Sequence, residues 1–293
     1  MGKDMNKEQN PYSKINWFPG HMAKAMRKTE EDVKLCDGVI YVLDARAPYA
    51  CINEKLMKIF QNKPIVYALN KCDLSEKRDI DAVVSDFKGK NLVIRPISGL
   101  NKKDTDKLKS ACLEILSDKI KRDKEKGISR TLRFMVAGIP NTGKSTIINT
   151  LVGSKRAETG DKAGVTRANK WIRVGGFDLL DTPGTMPPSM ENQTYAAHLA
   201  YIGAINDDIL NIEDIALRLI SELKGICPDA LAERYNLKSI DNEPIALFND
   251  ICKSRGYVLK GGEYDYERGA KSVISDFRKG KIAKVCLEVR NDG

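Results

Sequence analysis

The sequence has few of the side chains that hold metal ions, and it lacks an apolar stretch of membrane length. It contains two histidines, His21 and His198, and none of its seven cysteines forms a C-x-x-C pair, which argues against a zinc module. No secretion signal is visible at the start, so a disulfide framework is also not expected. We expect the cysteines to be buried or half-buried small apolar residues. Without a run approaching the roughly 20 apolar residues of a membrane helix, the expected location is the cytoplasm, with no membrane partner.

The charge balance is moderately basic. The 293 residues include 49 Lys and Arg against 40 Asp and Glu, for a formal net charge of +9. This charge favours a polyanionic partner such as RNA, although solvated surface lysines explain it equally well. With 42% hydrophobic residues, the chain is long enough to bury a substantial core.

Compact apolar runs alternate with helical patterns over the first two thirds of the chain. This alternation predicts an α/β fold, with a mainly parallel sheet covered by helices on both faces. Helices are predicted at 22–35 and near 52–61, 78–88 and 103–121. The predicted strands are 38–43, 64–69, 92–94, 132–137 and a hairpin of 170–174 with 177–180.

The pattern changes after the Pro187-Pro188 pair. Beyond it no strand-like run is found, and the spacing predicts helices near 191–205, 212–224, 228–235, 243–254 and 270–278. We therefore expect an α/β domain over 1–188 and a small all-helical domain over 189–293. His198 is predicted to lie on a helix surface.

Residues 138–145 read Gly-Ile-Pro-Asn-Thr-Gly-Lys-Ser and match the phosphate-loop pattern G-x-x-x-x-G-K-[ST]. They stand between a predicted strand and a helix, the context that the motif requires. The glycines let consecutive N–H groups face phosphates at the positive end of the helix. The predicted roles are phosphate binding and catalysis by Lys144 and Mg²⁺ binding by Ser145. The nucleotide contacts predicted in this loop are Asn141, Thr142, Gly143, Lys144, Ser145 and Thr146.

Two further loops are predicted to bind the base. Asn70-Lys71-Cys72-Asp73 matches N-K-x-D at the end of a predicted strand. The Asp73 carboxylate can accept hydrogen bonds from the ring N–H and the amine of guanine, a pair of donors that adenine lacks. Ser98-Gly99 follows the next strand and would place N–H groups on the guanine oxygen. The sequence thus favours GTP and GDP over adenine nucleotides.

A metal and switch region is predicted downstream of the phosphate loop. Asp181-Thr-Pro-Gly184 matches D-x-x-G, in which the aspartate holds Mg²⁺ through water and the Gly184 N–H contacts the γ-phosphate. Thr166 lies between the two motifs and is the candidate switch threonine, a ligand of Mg²⁺ that closes when the γ-phosphate is present. The predicted metal ligands are Ser145, Thr166, Asp181 and Asn141.

The motifs stand in an unusual order. Ordinary GTPases begin with the phosphate loop, whereas here N-K-x-D and the serine loop precede it. A pocket made from strand-end loops depends on their positions in space, so joining the old ends and cutting the chain elsewhere preserves it. The order therefore predicts a circularly permuted GTPase whose D-x-x-G switch runs directly into the helical domain.

With these motifs, the chain resembles the circularly permuted GTPases of the ribosome biogenesis GTPase A (YlqF) family. Asn16-Trp-Phe-Pro-Gly-His-Met22 resembles the N-terminal signature of that family, and Asp44-Ala-Arg-Ala-Pro48 resembles its first strand-end motif. The resemblance implies a GTP hydrolase that binds the precursor of the large ribosomal subunit, with rRNA and ribosomal proteins as partners and no DNA. Hydrolysis of GTP would release it from that precursor.

The resemblance also bears on catalysis. Thr185 occupies the position at which Ras-like enzymes place a water-orienting glutamine. His21, within the family signature, is then the candidate that orients water, the alternative being a structural loop histidine. Asn141 resembles the asparagine with which potassium-activated GTPases hold K⁺ beside the phosphates, the alternative being an asparagine that stabilises the loop.

Two other functions remain as alternatives. A small-subunit assembly GTPase would carry an OB barrel and a zinc module, for which the sequence offers neither residues nor ligands. A passive RNA-binding module would not hydrolyse GTP. Six basic residues between Arg268 and Lys284, expected at the far end of the helical domain from the switch, are the candidate RNA contacts. The basic stretch 119–133 is the second candidate.

Overall fold

A six-stranded sheet forms the centre of the computed structural model, which describes residues 13–15, 22–87, 92–153, 171–187 and 190–289. The strand order is β3-β2-β1-β4-β6-β5. All neighbouring pairs are parallel except β5 and β6, which form an antiparallel hairpin. The predicted mainly parallel α/β fold is confirmed. The strands are β1 (Gly38–Asp44), β2 (Ile65–Asn70), β3 (Leu92–Pro96), β4 (Leu132–Ala137), β5 (Trp171–Val174) and β6 (Phe177–Asp181).

The central strand β1 is buried along its whole length because β2 and β4 flank it and helices cover both faces. Its side chains alternate between two hydrophobic clusters, with Tyr41 and Leu43 in one and Ile40 and Val42 in the other. A strand buried on both faces reads as a continuous apolar run, which is why its sequence predicted it well.

Within the described part of the chain, six α-helices accompany the sheet. Side chains of Asn53 and Asn101 cap two of them by accepting hydrogen bonds from backbone N–H groups. The single helix predicted at 103–121 is two helices, because the chain leaves helical geometry at the buried Leu116. The helices are α1 (Met22–Asp32), α2 (Glu54–Phe60), α3 (Lys77–Asp86), α4 (Lys102–Ile115), α5 (Ser117–Glu125) and α6 (Lys144–Val152).

Among residues 190–289, five more α-helices follow the sheet at the predicted places. The last begins four residues before its prediction, because the Asp265 side chain caps it by accepting from the Arg268 N–H. Within the described part of 190–289, the only bridge between extended residues joins Val258 to Tyr264. These helices are α7 (Gln193–Tyr201), α8 (Ile212–Ile226), α9 (Pro228–Tyr235), α10 (Pro244–Ser254) and α11 (Tyr266–Arg278).

After α11 the chain returns to the loops at the end of the sheet. The Val285 N–H donates to the Leu74 carbonyl over 3.1 Å, and the Leu287 N–H donates to the Arg46 carbonyl over 2.8 Å. Arg278 lines the same cleft as Gly184, so the expectation that the basic segment 268–284 lies far from the switch is wrong. The buried Ile282 lies between Lys281 and Lys284, and the buried Val285 follows them, so their burial draws this part of the chain onto the sheet.

The cysteines are buried or half-buried, as small apolar residues are. Five cysteines are buried and two, Cys72 and Cys227, are half-buried, as predicted, and all seven are free thiols. Among the described residues, no helix combines the length and the apolar character needed to cross a membrane.

Candidate nucleotide site

The predicted nucleotide motifs lie at the carboxyl ends of neighbouring strands. Asn70 ends β2, Ser98 and Gly99 follow β3, and Asp181 ends β6. The phosphate loop connects β4 to α6, and β4 lies between the strands of the base and serine loops on one side and β6 on the other. Because these strands are parallel, their carboxyl ends meet at one edge of the sheet, where ligands bind in doubly wound folds.

Asn70 connects the base loop, the serine loop and the phosphate loop. Its side-chain nitrogen donates to the Thr142 carbonyl over 2.8 Å, and its side-chain oxygen accepts from the Gly99 N–H over 2.7 Å. A Cβ added to Gly143 would lie 2.3 Å from the Asn70 nitrogen. A Cβ on Gly99 would lie 2.9 Å from the Asn70 oxygen. Both glycines are therefore needed for the three loops to meet.

The phosphate loop has the backbone geometry of an anion cradle. Gly138 has a φ of 142° and would bring a Cβ within 2.6 Å of the Val42 carbonyl oxygen. Asn141 and Gly143 also adopt positive φ angles, 59° and 95°. Directly after this bend α6 begins at Lys144, with Ser145 exposed and Thr146 half-buried on its first turn. Free N–H groups at this helix end fit the phosphates of a nucleotide.

Lys144 is buried and its ammonium donates to the Ile139 carbonyl over 2.6 Å. Burial lowers the pKa of this lysine to about 8, and the nearby Asp181 carboxylate opposes that change. Burial likewise raises the pKa of Asp181, against the attraction of Lys144. Gly184 lies close by, since a Cβ on it would be 3.0 Å from the Lys144 nitrogen and 2.7 Å from the Pro140 nitrogen. The predicted phosphate and switch residues are thus neighbours.

The base loop is placed beside the serine loop. The Cys72 N–H donates to the Ile97 carbonyl over 3.2 Å, and Asp73 is exposed in a 3₁₀ turn over Cys72–Leu74. An exposed carboxylate at this position is free to accept from the edge of a base. Ser98 is held by its N–H, which donates to the Asp104 carboxylate over 3.1 Å.

Lys71 connects the base loop to the phosphate loop. Its ammonium donates to the Asn141 carbonyl and to the Asp44 carboxylate, both over 2.8 Å. Asp44 is fully buried and also accepts two hydrogen bonds from the Arg46 guanidinium, at 2.9 and 2.7 Å. Burial opposes ionisation of Asp44, but Arg46 and Lys71 outweigh it and lower its pKa to about 2. The sequence analysis noted the motif Asp44-Ala-Arg-Ala-Pro48 but assigned no role to Asp44 or Arg46. That motif was the signal that could have identified them.

The helical part of the chain, which comprises α7 to α11, also reaches this site. The Asn141 side chain donates to the Gly203 carbonyl, just after α7. An open cleft of about 580 Å³ lies between the phosphate-loop region and the helical part. Its lining residues include Pro140, Asn141, Gly184, Gly203 and Arg278. Nothing in the sequence pattern indicated that Arg278 lies next to the phosphate loop.

Three predicted features cannot be placed. His21, Thr166 and the signature residues 16–20 lie outside the described residues. Thr185 is described, and its side chain is 2% exposed. Its N–H donates to the Gly138 carbonyl and its carbonyl accepts from Asn53, so it fixes the switch backbone beside the phosphate loop.

The surface position predicted for His198 is wrong, since the side chain is 3% exposed. Its ring nitrogens lie 2.8 Å from a Glu288 oxygen and 3.1 Å from a Glu222 oxygen. Burial lowers the pKa of His198, but the two carboxylates outweigh it and raise the pKa to about 9. The histidine is buried because α8 and the segment after α11 pack onto α7. The hydrophobic periodicity of α7 alone does not predict these partners.

Known proteins resemble this chain along most of its length. A family model described as "50S ribosome-binding GTPase" matches residues 133–249. The chain is 40% identical over 276 residues to ribosome biogenesis GTPase A of Bacillus cereus, covering 94% of this chain and 93% of that protein. The protein of the same name from Priestia megaterium is also 40% identical, over 92% of this chain and 94% of that protein. A GNP-bound YlqF structure from T. maritima matches with a TM-score of 0.64 and 26% identity, covering 92% of this chain and all of that one.

Proposed function

The chain belongs to the ribosome biogenesis GTPase A family of GTP hydrolases, and on that premise we propose that it acts as a GTP-dependent assembly factor for the large ribosomal subunit. It binds the subunit precursor in the GTP state and leaves after hydrolysis. The relative from Bacillus cereus carries ribosome biogenesis in its name, and the matching family model is described as binding the 50S ribosome. A factor with such partners works in the cytoplasm.

The observation that carries the proposal is the pair of Asn70 hydrogen bonds, which hold the base, serine and phosphate loops together at one edge of the sheet. Guanine selectivity in this pocket is assigned to the exposed Asp73 carboxylate. The phosphate loop, with Lys144 and the first turn of α6, fits the phosphates of GTP and GDP. Ser145 and Asp181, on adjacent elements, have the oxygen ligands that Mg²⁺ prefers, and Mg²⁺ would neutralise developing charge on the phosphates.

Motif order supports a circular permutation. The base loop precedes the phosphate loop by about 70 residues, as the 72-residue separation between Asn70 and Thr142 shows, yet the two are in contact. We propose the division into a GTPase domain over 1–188 and a helical, RNA-binding domain over 189–293. In this arrangement the D-x-x-G segment leads directly into α7, so a change at Gly184 has a short path to the helical domain.

Catalytic roles are proposed for residues inside and outside the described ranges. His21 orients the attacking water, Thr166 closes over Mg²⁺, and Asn141 contributes to K⁺ binding beside the phosphates. Thr185 is buried and has no amide or carboxylate with which to replace a water-orienting glutamine. His21→Ala is therefore expected to keep GTP affinity and lose subunit-stimulated hydrolysis. Equal turnover in Na⁺ and K⁺ would contradict the role given to Asn141.

RNA contacts are proposed for exposed lysines after α11. Lys279, Lys281 and Lys284 are exposed, and no ion pair engages them among the described residues. In the alternative stretch 119–133, Lys119 and Arg130 are already paired with Asp37. Lys279, Lys281 and Lys284 can therefore bind phosphates of rRNA, and the exposed Lys121, Lys124 and Lys126 of the other stretch are the alternative contacts.

The decisive experiment is GTP turnover by the full chain with and without purified ribosomal subunits. We expect stimulation by the large subunit and none by the small subunit. Stimulation by the small subunit alone would favour the alternative of a small-subunit factor. If no subunit or RNA raised turnover and GTP were bound without hydrolysis, the protein would be a passive RNA-binding module.

A further inference from the structure

Arg278, the last residue of α11, clamps the end of α7. Its guanidinium makes two hydrogen bonds to the Asp207 carboxylate, both over 2.7 Å. It also donates to the carbonyls of Tyr201 and Ala200 over 2.9 and 2.8 Å. Carbonyls at a helix end have no partner within the helix, so this side chain satisfies them and fixes the turn that follows.

The clamped turn carries the carbonyl that contacts the phosphate loop. Gly203 follows α7 by two residues and has a φ of 78°, and a Cβ on it would lie 3.2 Å from the Arg278 Cζ. Its carbonyl accepts from the Asn141 side chain. Arg278 therefore lies one residue away from the phosphate loop, with Gly203 between them.

A second path connects the same two residues through the sheet. The Arg278 carbonyl accepts from the Arg46 guanidinium over 3.1 Å, and Arg46 also lies over the Phe277 ring at 5.5 Å. Arg46 is paired with the buried Asp44, which also holds Lys71, and Lys71 donates to the Asn141 carbonyl. The two paths close a ring that starts and ends at Asn141.

We propose that Arg278 is a positioning residue for GTP hydrolysis and acts through Asn141. It holds the Asn141 side chain by way of Gly203, and it holds the Asn141 backbone by way of Arg46, Asp44 and Lys71. A buried carboxylate strongly resists the loss of a charged partner, so Asp44 keeps Arg46 and Lys71 in place along the second path. A displacement of α11 relative to the sheet thus changes the conformation of a loop residue beside the β- and γ-phosphates.

A double-mutant cycle on the full chain tests the proposal, with kcat and KM for GTP measured for Arg278→Ala, Asn141→Ala and the double variant. Arg278→Ala should lower kcat about tenfold while KM changes less than threefold. The double variant should match Asn141→Ala within about twofold, because both substitutions break the same side-chain path, whereas the backbone carbonyls of the second path remain. Arg278→Lys should restore part of the lost kcat, since it keeps a charged partner for Asp207.

Arg234→Ala is the matched control, because it removes another arginine–aspartate pair of the helical part, to Asp276 at 2.7 Å, from a side chain of similar exposure. It should lower the unfolding midpoint and leave kcat unchanged. If Arg278→Ala does not fold, Asp207→Asn takes its place in the cycle, with a smaller loss of kcat expected. Multiplicative losses in the double variant, or an equal loss of kcat in Arg234→Ala, would overturn the proposal.

Discussion

The side-chain amide of Asn70 donates to the backbone carbonyl of Thr142 over 2.8 Å, although 72 residues separate them. The same side chain accepts from the Gly99 N–H, so one buried residue fixes three loops. In a chain whose motifs stand in this order, the pocket cannot rely on sequence neighbours. It relies on a cross-link of this kind at the edge of the sheet.

Replacing Asn70 by Ala is expected to weaken GDP binding by at least about tenfold. The change removes two hydrogen bonds and leaves a buried carbonyl and N–H unpaired, each costing on the order of 1–3 kcal/mol. Fluorescent GDP titration measures the effect. Asn149→Ala, an exposed asparagine on α6, is the control and should bind as the parent does. Parent-like affinity of Asn70→Ala would show that the loops meet without the cross-link.

Asp73→Asn is expected to exchange guanine preference for xanthine. The role proposed for the carboxylate is to accept two hydrogen bonds from guanine, whereas an amide presents a donor that suits the additional oxygen of xanthine. Competition of GTP, XTP and ATP for the parent and the variant measures the change. An unchanged preference for GTP would remove Asp73 from the base site.

GDP affinity should fall as the pH rises above about 8. The Lys144 pKa is about 8 without nucleotide, and bound phosphates favour the ammonium, so binding takes up a proton above that pH. Calorimetry in buffers of different ionisation enthalpy detects this proton, and the affinity should fall by up to about tenfold per pH unit. Lys144→Arg cannot titrate in this range and should show a flat profile. The same decline in that variant would assign the titration to another group.

The His198 cluster should make the protein less stable at alkaline pH. The folded-state pKa of about 9 lies above the usual value of 6.5, so folding takes up a proton between these values. The contribution is fully present below pH 6.5 and is lost as the pH rises through 9; it is on the order of 3 kcal/mol. Urea unfolding of the parent and of His198→Gln at pH 6 to 10 measures it. If the free energy of unfolding of the parent and of His198→Gln changed in parallel with pH, the pH dependence would not come from His198.

Changing Lys279, Lys281 and Lys284 to Glu is expected to weaken association with the large subunit and to flatten its salt dependence. Each lysine that neutralises a phosphate releases counterions, so its loss lowers the slope of affinity against salt by about one. Co-sedimentation with a non-hydrolysable GTP analogue across a salt series measures both. The matched variant carries Glu at Lys121, Lys124 and Lys126, three exposed lysines of the other basic stretch. A loss confined to that variant would place the contact on α5.

The sequence predicted the elements best where the chain is buried or capped locally. β1 and β4 read as apolar runs because both faces are covered, and the phosphate loop is a local pattern of glycines whose φ angles require them. Helices with a local cap, such as the one after Asn53, were found near their true bounds.

The contacts between the two parts could not be predicted from local patterns. Arg278 was interpreted as a basic surface residue, yet it is held by Asp207 and α7. Likewise His198 reads as polar, and it becomes buried only because Glu222 and Glu288 compensate its charge. Arg278 and Asp207 are 71 residues apart, and His198 and Glu288 are 90 residues apart. Neither the composition nor the hydrophobic periodicity of the sequence specifies such distant partners.

The return of the chain after α11 has a consequence for the order in which the protein is made. Glu288 accepts from the N–H groups of Tyr49 and Ala50, and 239 residues separate it from Tyr49. During synthesis, the loop after β1 therefore emerges long before the carboxylate that completes it. Closing such distant contacts is slow, because the entropy of the intervening chain is lost first. The loop after β1 is thus translated well before it can reach its final contacts.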